Sequence, residues 1–209
     1  MHLSTLSTLQ IDGPVGAIDV ALNDPGSGRR GIALIAHPHP LQGGTRDNKV
    51  VTTLARAFFS LHYCAARPNF RGVGASAGVY DQGIGETDDL VAVVEQLRKR
   101  LGDLPILLAG FSFGAFVQTR VVRRLTAERL ALIAPAVNRF DAEAVAADTL
   151  VVHGDADDVV PLAAVLDWAR PQNLPIVVIP GGEHFFHGRL GQLQKIVTHW
   201  CLGHQRQDH

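Results

Sequence analysis

Between Leu104 and Val117 the chain reads LPILLAGFSFGAFV, an apolar run that passes directly into Gly110-Phe111-Ser112-Phe113-Gly114 and then into helical spacing. Strand, G-x-S-x-G pentapeptide and helix, in that order, form a nucleophile elbow, a tight turn that lifts one serine above the end of a parallel sheet. The glycines on either side let neighbouring backbone pass close to the turn, where a side chain would clash. The serine therefore needs a strand beneath it and a helix behind it, which restricts the fold more than any other stretch of the sequence.

The rest of the chain supplies matching elements. Leu3–Ile11 and Ala17–Leu22, separated by Asp12-Gly13-Pro14, read as an antiparallel hairpin. Ile32–Ala36 is a short, fully apolar strand of the kind buried on both faces. From Arg46 onward Val50, Val51, Leu54, Ala55, Phe58 and Phe59 recur at helical spacing. Tyr63–Asn69 is the next strand. Leu90, Val93, Val94, Leu97 and Leu101 then mark a helix with Glu86, Asp88 and Asp89 near its start. Arg98, Lys99 and Arg100 stand in its last turn and Gly102 just beyond, which suits the helix dipole and a glycine stop. Ile106–Ala109 leads into the elbow and a helix through Arg124, followed by strands at Leu130–Ala134, Leu150–His153 and Ile176–Ile179. Helices are expected at Leu162–Ala169 and Leu190–Cys201. Such alternation demands right-handed crossovers and a mostly parallel sheet of about seven or eight strands with helices on both faces. The 209 residues, 46% of them hydrophobic, suffice for one sizeable core, so a single domain over residues 1–209 is expected.

Charge and cysteine usage exclude several classes of partner. The net charge is −1, and the short basic runs Arg98-Lys99-Arg100 and Arg123-Arg124 sit at helix ends, so no footprint for nucleic acid or an anionic membrane is present. The start, MHLSTLSTLQIDG, lacks the basic and apolar regions of a signal peptide. The longest apolar run is the elbow segment itself, too short to span a bilayer. Cys64 and Cys201 form no metal or redox motif, which points to a cytoplasmic protein with two reduced, core-packing thiols.

In sheets of this kind chemistry gathers at the carboxyl ends of the strands. Those positions hold His37 and His39, Asn69 to Gly74, Ser112, Pro135, the cluster Asp155/Asp157/Asp158, and His184. A serine hydroxyl is a poor nucleophile near neutral pH and needs a base, and the base needs a group to orient it. Leu150-Val151-Val152 runs into His153-Gly154-Asp155-Ala156-Asp157-Asp158-Val159-Val160-Pro161, and Val177-Val178-Ile179 into Pro180-Gly181-Gly182-Glu183-His184. Ser, then Asp, then His is the order of a triad assembled on such a sheet.

With these residues the chain resembles the α/β-hydrolase superfamily, on the small, lidless side that includes dienelactone-hydrolase-like proteins and carboxylesterases. His37-Pro-His-Pro40, Gly43-Gly44-Thr45, Asn69-Phe-Arg-Gly72 and Gly182-x-His184-Phe-Phe are similar to a group of small bacterial hydrolases. The resemblance implies an α/β-hydrolase fold. It implies a triad of Ser112, Asp157 and His184, because the family acid stands three residues after a glycine and ahead of a Val-Pro pair, here Gly154 and Val160-Pro161. Asp155 is then a loop-capping residue, and His187, the rival base, falls toward the following helix. His2, His62, His199, His204 and His209 have no partners by motif.

The resemblance also implies an oxyanion hole built from the residue after the nucleophile and the loop after the third strand. Phe113 N–H is one donor. Pro38 and Pro40 have no N–H, so His39 or Leu41 supplies the other, with His39 favoured by register. The H-x-H pair His37/His39 suggests zinc only if ligands such as Asp157 or His153 converge on it, and the oxyanion role accounts for the same loop without a metal. Asn69 to Gly78 matches no phosphate-binding loop and reads as a turn, with Arg71 either at the cleft rim or paired to a structural acid.

The expected reaction is two-step acyl transfer on a small ester, with no cofactor. Thioesters and peptides are alternatives on the same residues, as is a hydrolase-fold binding protein without turnover. Serine at 112 departs from the cysteine of true dienelactone hydrolases and from the aspartate of haloalkane dehalogenases. Between Ala134 and Leu150 there is no room for a cap domain, so an open site lined by Phe111, Phe113 and Leu41 and selective for short acyl groups is expected. Oligomeric state is not legible.

Overall fold

A computed structural model describes residues 5–203. Leu3, at the expected start of the hairpin, and His2, His204 and His209 lie outside the described residues. The hairpin is β1 (Thr5–Gly13) and β2 (Gly16–Asp24), paired antiparallel from Thr5 with Asp24 to Gly13 with Gly16. Then follow β3 (Gly31–Ala36), β4 (Tyr63–Pro68), β5 (Ile106–Phe111), β6 (Arg129–Ile133), β7 (Leu150–Gly154) and β8 (Ile176–Ile179). They form one eight-stranded sheet in the order β1-β2-β4-β3-β5-β6-β7-β8. β2 meets β4 antiparallel, and every pairing from β4 to β8 is parallel.

The helices are α1 (Lys49–Ser60), α2 (Ile84–Leu101), α3 (Phe113–Val121), α4 (Leu162–Ala169) and α5 (Leu190–Gly203). Alternate residues of one strand face opposite layers, as a period of two requires. Ile32 and Leu34 of β3 and Ile106 and Leu108 of β5 pack with Leu90, Val94 and Val117 of α2 and α3. Ala33 and Ile35, Leu107 and Ala109 pack with Val50, Leu54, Phe58, Leu193 and Val197 of α1 and α5. Both faces are covered, which is why the central strands read as unbroken apolar runs. Cys64 and Cys201 are buried free thiols, and burial pushes them up to about 12 and about 11.

Two helix ends differ by three residues from the sequence reading. α1 starts at Lys49, three residues after Arg46, because the Asn48 side chain accepts from Val50 N–H and caps the first turn. Glu86 stands in the first turn of α2, as read from the sequence, and there it is fully buried, its carboxylate accepting from the Asp81 and Gly83 amides. α3 stops at Val121 rather than Arg124, since the amides of Arg123 and Arg124 turn to the tighter i−3 carbonyls of Arg120 and Val121.

Candidate active site

Ser112 stands between β5 and α3, as the N-cap of α3, with φ 55° and ψ −116°, a backbone region that costs a non-glycine residue roughly 1–3 kcal/mol. The surrounding packing holds it there. Ser112 N–H donates to Ile133 O on β6 at 2.9 Å. A Cβ on Gly110 would run into the Gly114 carbonyl, and one on Gly114 into the carbonyls of Ala36 and His37. The two glycines of the pentapeptide are thus the points at which the turn closes on itself and on β3.

The loops after β7 and β8 bring two further side chains to this serine. His184 Nε2 lies 3.0 Å from Ser112 Oγ, and His184 Nδ1 lies 2.7 Å from Asp157 Oδ2. An ionised carboxylate only accepts, so Nδ1 carries a proton and Nε2 is free to accept from the serine hydroxyl. The other carboxylate oxygen, Asp157 Oδ1, accepts from the amides of Val159 at 2.9 Å and Val160 at 2.8 Å. Burial raises the Asp157 carboxyl, but the His184 hydrogen bond, the Val160 amide and the adjacent imidazoles outweigh it and hold the group below the usual carboxylate range. All three side chains are buried, Ser112 keeping 8% exposure.

The same two loops are clamped to each other. Asp155 Oδ1 accepts from Gly181 N–H at 2.6 Å, and Ala156 N–H donates to Gly182 O at 3.0 Å. Gly154 lies so close to Gly182 that a Cβ would collide with its carbonyl. Asp155 therefore braces the β7 loop against the β8 loop and does not face His184. His187 is exposed, 3.0 Å from Glu183 Oε1, and is not brought to Ser112.

The loop after β3 forms the opposite wall. Leu41 N–H donates to the His39 ring at Nδ1, 3.2 Å away, so this amide is engaged and is not open to the cleft as the sequence allowed. Gln42 and Gly44 donate to His39 O, both at 3.0 Å. Neither the His39 nor the Phe113 amide donates to an acceptor among the described residues, and both residues line the hollow beside Ser112. Of the two amides considered for this loop, His39 is the one left free.

His37 points elsewhere. It is fully buried; its Nδ1–H donates to Pro38 O at 2.7 Å and its Nε2 accepts from Phe70 N–H at 2.9 Å. Burial lowers it to about 4, so the ring is neutral and both nitrogens are spent on backbone. Arg71, considered for the cleft rim, is buried against Asp89 at 2.8 Å and Gly85 O at 2.7 Å. His62 and His199 are exposed.

The apolar wall also differs from the expectation. Phe111 is fully buried behind the cleft, 5.0 Å from the His184 ring, and Leu41 is 71% exposed and lines no part of it. Phe113 does contribute, joined by Phe140, Val159 and Phe185. Residues on one loop need not point into the site that loop borders, which is why sequence adjacency misled here.

One participant escaped the sequence reading except as a metal ligand. His153 is fully buried, its Nε2–H donates to Val160 O at 2.8 Å, and the same nitrogen lies 3.5 Å from Asp157 Oδ2. Its Nδ1 has no hydrogen-bond partner among the described residues. The signal was a histidine at the end of a buried strand four residues before the acid.

An open cleft at the carboxyl edge of an eight-stranded sheet, with a strained serine hydrogen-bonded to a histidine, defines an α/β-hydrolase fold. No family model matches the chain. It is similar to a serine hydrolase without a lid from Xanthomonas campestris, XC6422, with 40% identity, 96% of this chain and 95% of that one covered, and a TM-score of 0.88. An α/β serine hydrolase homologue from Coxiella burnetii gives 40% identity, 95% and 99% coverage, and a TM-score of 0.87. The uncharacterized protein RP471 of Rickettsia prowazekii is 31% identical over 96% of this chain and 91% of its own length. The chain belongs to the lidless α/β serine hydrolases. It is a hydrolase fit for a small-molecule substrate, and no helix among the described residues is long and apolar enough to cross a membrane.

Proposed function

We propose that the protein hydrolyses carboxylic esters through an acyl-enzyme on Ser112. The observation that carries this reading is the unbroken hydrogen-bonded chain Ser112 Oγ–His184–Asp157, 3.0 and 2.7 Å long in its two links, at the floor of an open cleft. His184 Nε2 takes the serine proton as Oγ attacks the ester carbonyl. Asp157 holds the tautomer and stabilises the imidazolium that forms. The free amides of Phe113 and His39 receive the oxyanion, where loss of one donor typically costs about 10²–10³ in rate. His184 then returns the proton to the leaving alkoxide, and water, activated by the same nitrogen, releases the acid.

The test is labelling with a fluorophosphonate, followed by turnover of p-nitrophenyl esters of increasing acyl length. Labelling that disappears in Ser112→Ala is expected, with turnover falling as the acyl chain lengthens, because no lid covers a long chain. Folded protein that does not label would favour a binding protein instead, and faster turnover of acyl thioesters than of matched esters would move the substrate class.

A further inference from the structure

The loop that carries Asp157 is tied to the loops on both sides of it. On one side Asp155 and Ala156 hold it to the loop after β8, which brings His184. On the other side runs the loop after β6, where a single side chain makes the connection: Asn138 Nδ2 donates to Val159 O at 3.0 Å. A carbonyl oxygen only accepts, so the amide nitrogen of Asn138 is the atom that faces it.

The loop after β6 is itself fixed against the nucleophile. Ser112 N–H donates to Ile133 O at 2.9 Å, and Ala136 N–H donates to Ser112 O at 3.3 Å. Two residues beyond Asn138, the Phe140 ring stacks on Phe116 with centroids 4.7 Å apart and meets Phe113 edge-on at 5.1 Å. Asn138 stands between these anchors, with its own side chain exposed.

The bond from Asn138 matters because of what lies at the other end of the peptide it holds. Val159 C=O and Val160 N–H belong to one planar unit and turn together. Val160 N–H donates to Asp157 Oδ1 at 2.8 Å, and Asp157 Oδ2 faces His184 Nδ1 at 2.7 Å. A donor on Val159 O therefore fixes the plane of that peptide and polarises its N–H toward the carboxylate. His153 steadies the next carbonyl, Val160 O, but that peptide leads to Pro161 and has no N–H to offer the acid.

We propose that Asn138 is a positioning residue for the triad acid: through the Val159–Val160 peptide it sets the direction in which Asp157 presents Oδ2 to His184. This rests on the triad reading above. The hydrogen-bonded chain then runs from Ser112 Oγ through His184, Asp157 and one peptide to Asn138, and the loop after β6 returns it to the Ser112 backbone.

Asn138→Leu keeps the branched shape of the side chain without its donor, at an exposed position that spares the core. On a short p-nitrophenyl ester it should lower kcat about fivefold with KM unchanged, the size expected of one exposed neutral hydrogen bond. In an Asp157→Asn background the same substitution should lower kcat no further, because the carboxylate it orients is gone. The proton NMR signal of the His184 Nδ1–H bond to Asp157 should shift upfield in Asn138→Leu. An unchanged kcat or an unmoved signal overturns the proposal, and so does a loss that persists in Asp157→Asn or is confined to KM. Failure of the triad reading looks different: the folded wild type takes no fluorophosphonate label and turns over no ester, and this proposal falls with it.

Discussion

His37 and His184 both follow strands of the same sheet and are both buried, at 0% and 3% exposure, yet they are bonded in opposite ways. His37 spends Nδ1 on Pro38 O and Nε2 on Phe70 N–H, two backbone groups that cannot change protonation. His184 spends Nδ1 on the Asp157 carboxylate and Nε2 on the Ser112 hydroxyl, which has a proton to give. A buried imidazole between backbone groups is a fixed strut that ties the β3 loop to the β4 loop. The same ring between a carboxylate and a hydroxyl can accept a proton and have the resulting charge stabilised. Burial alone does not distinguish a structural histidine from a functional one; the chemistry of its two partners does.

The largest effect should come from breaking the functional side of this comparison. Ser112→Ala and His184→Ala should each lower kcat by about 10⁶, and the double variant scarcely more, because the groups act as a unit. Steady-state kinetics on a short p-nitrophenyl ester would show it, and an equal loss in His37→Gln would erase the distinction drawn here. Next in size, Asp157→Asn should cost about 10⁴ in kcat by leaving His184 in the wrong tautomer. Asp155→Asn, which touches only the brace to Gly181, should cost about tenfold at most. The reverse order would move the orienting role by two residues.

The structural histidine should show itself in stability. His37 is lowered to about 4 in the fold, against an ordinary value near 6.5, so the unfolded chain binds a proton that the folded chain refuses. Its contribution is complete above about pH 6.5 and is lost as pH falls toward 4, amounting to about 3 kcal/mol. Urea unfolding followed across that range should show the slope in the wild type and a flatter one in His37→Gln. Parallel slopes would remove His37 from the account.

The smallest effect belongs to His153, which falls between the two cases. Its Nε2–H serves a backbone carbonyl and lies near Asp157, so His153→Phe should strand Val160 O and cost about 1–3 kcal/mol in unfolding free energy. The effect on kcat should be far below that of Asp157→Asn. A loss comparable to Asp157→Asn would make His153 a partner of the acid rather than of the loop.

Much of this was legible beforehand, because the determinants are local. Short, unbroken apolar runs such as Ile32–Ala36 and a period near 3.6 from Val50 to Phe58 are written in consecutive residues, and they specify sheet and helix before any long-range contact forms. The strained turn at Ser112 is legible for the same reason, since its two glycines lie two residues away on either side. The serine–aspartate–histidine order is likewise a property of the chain.

What the tertiary structure decided concerns direction, and for Asp157 and His39 it gives the physical reason for choices that the family spacing and the register already favoured. That Asp157 rather than Asp155 faces His184 depends on Val159 and Val160 amides turning one carboxylate inward while Gly181 claims the other. That His39 rather than Leu41 leaves its amide open depends on where one imidazole points. Arg71 went to Asp89, Phe111 went behind the cleft and Asn138 came to the loop of Asp157, none of which spacing can reveal. The sequence alone determined the sheet, the elbow and the serine, aspartate and histidine candidates, because each is encoded over a few neighbouring positions. Their facing was decided by contacts between segments up to 72 residues apart, such as Ser112 and His184, which exist only once the sheet has assembled.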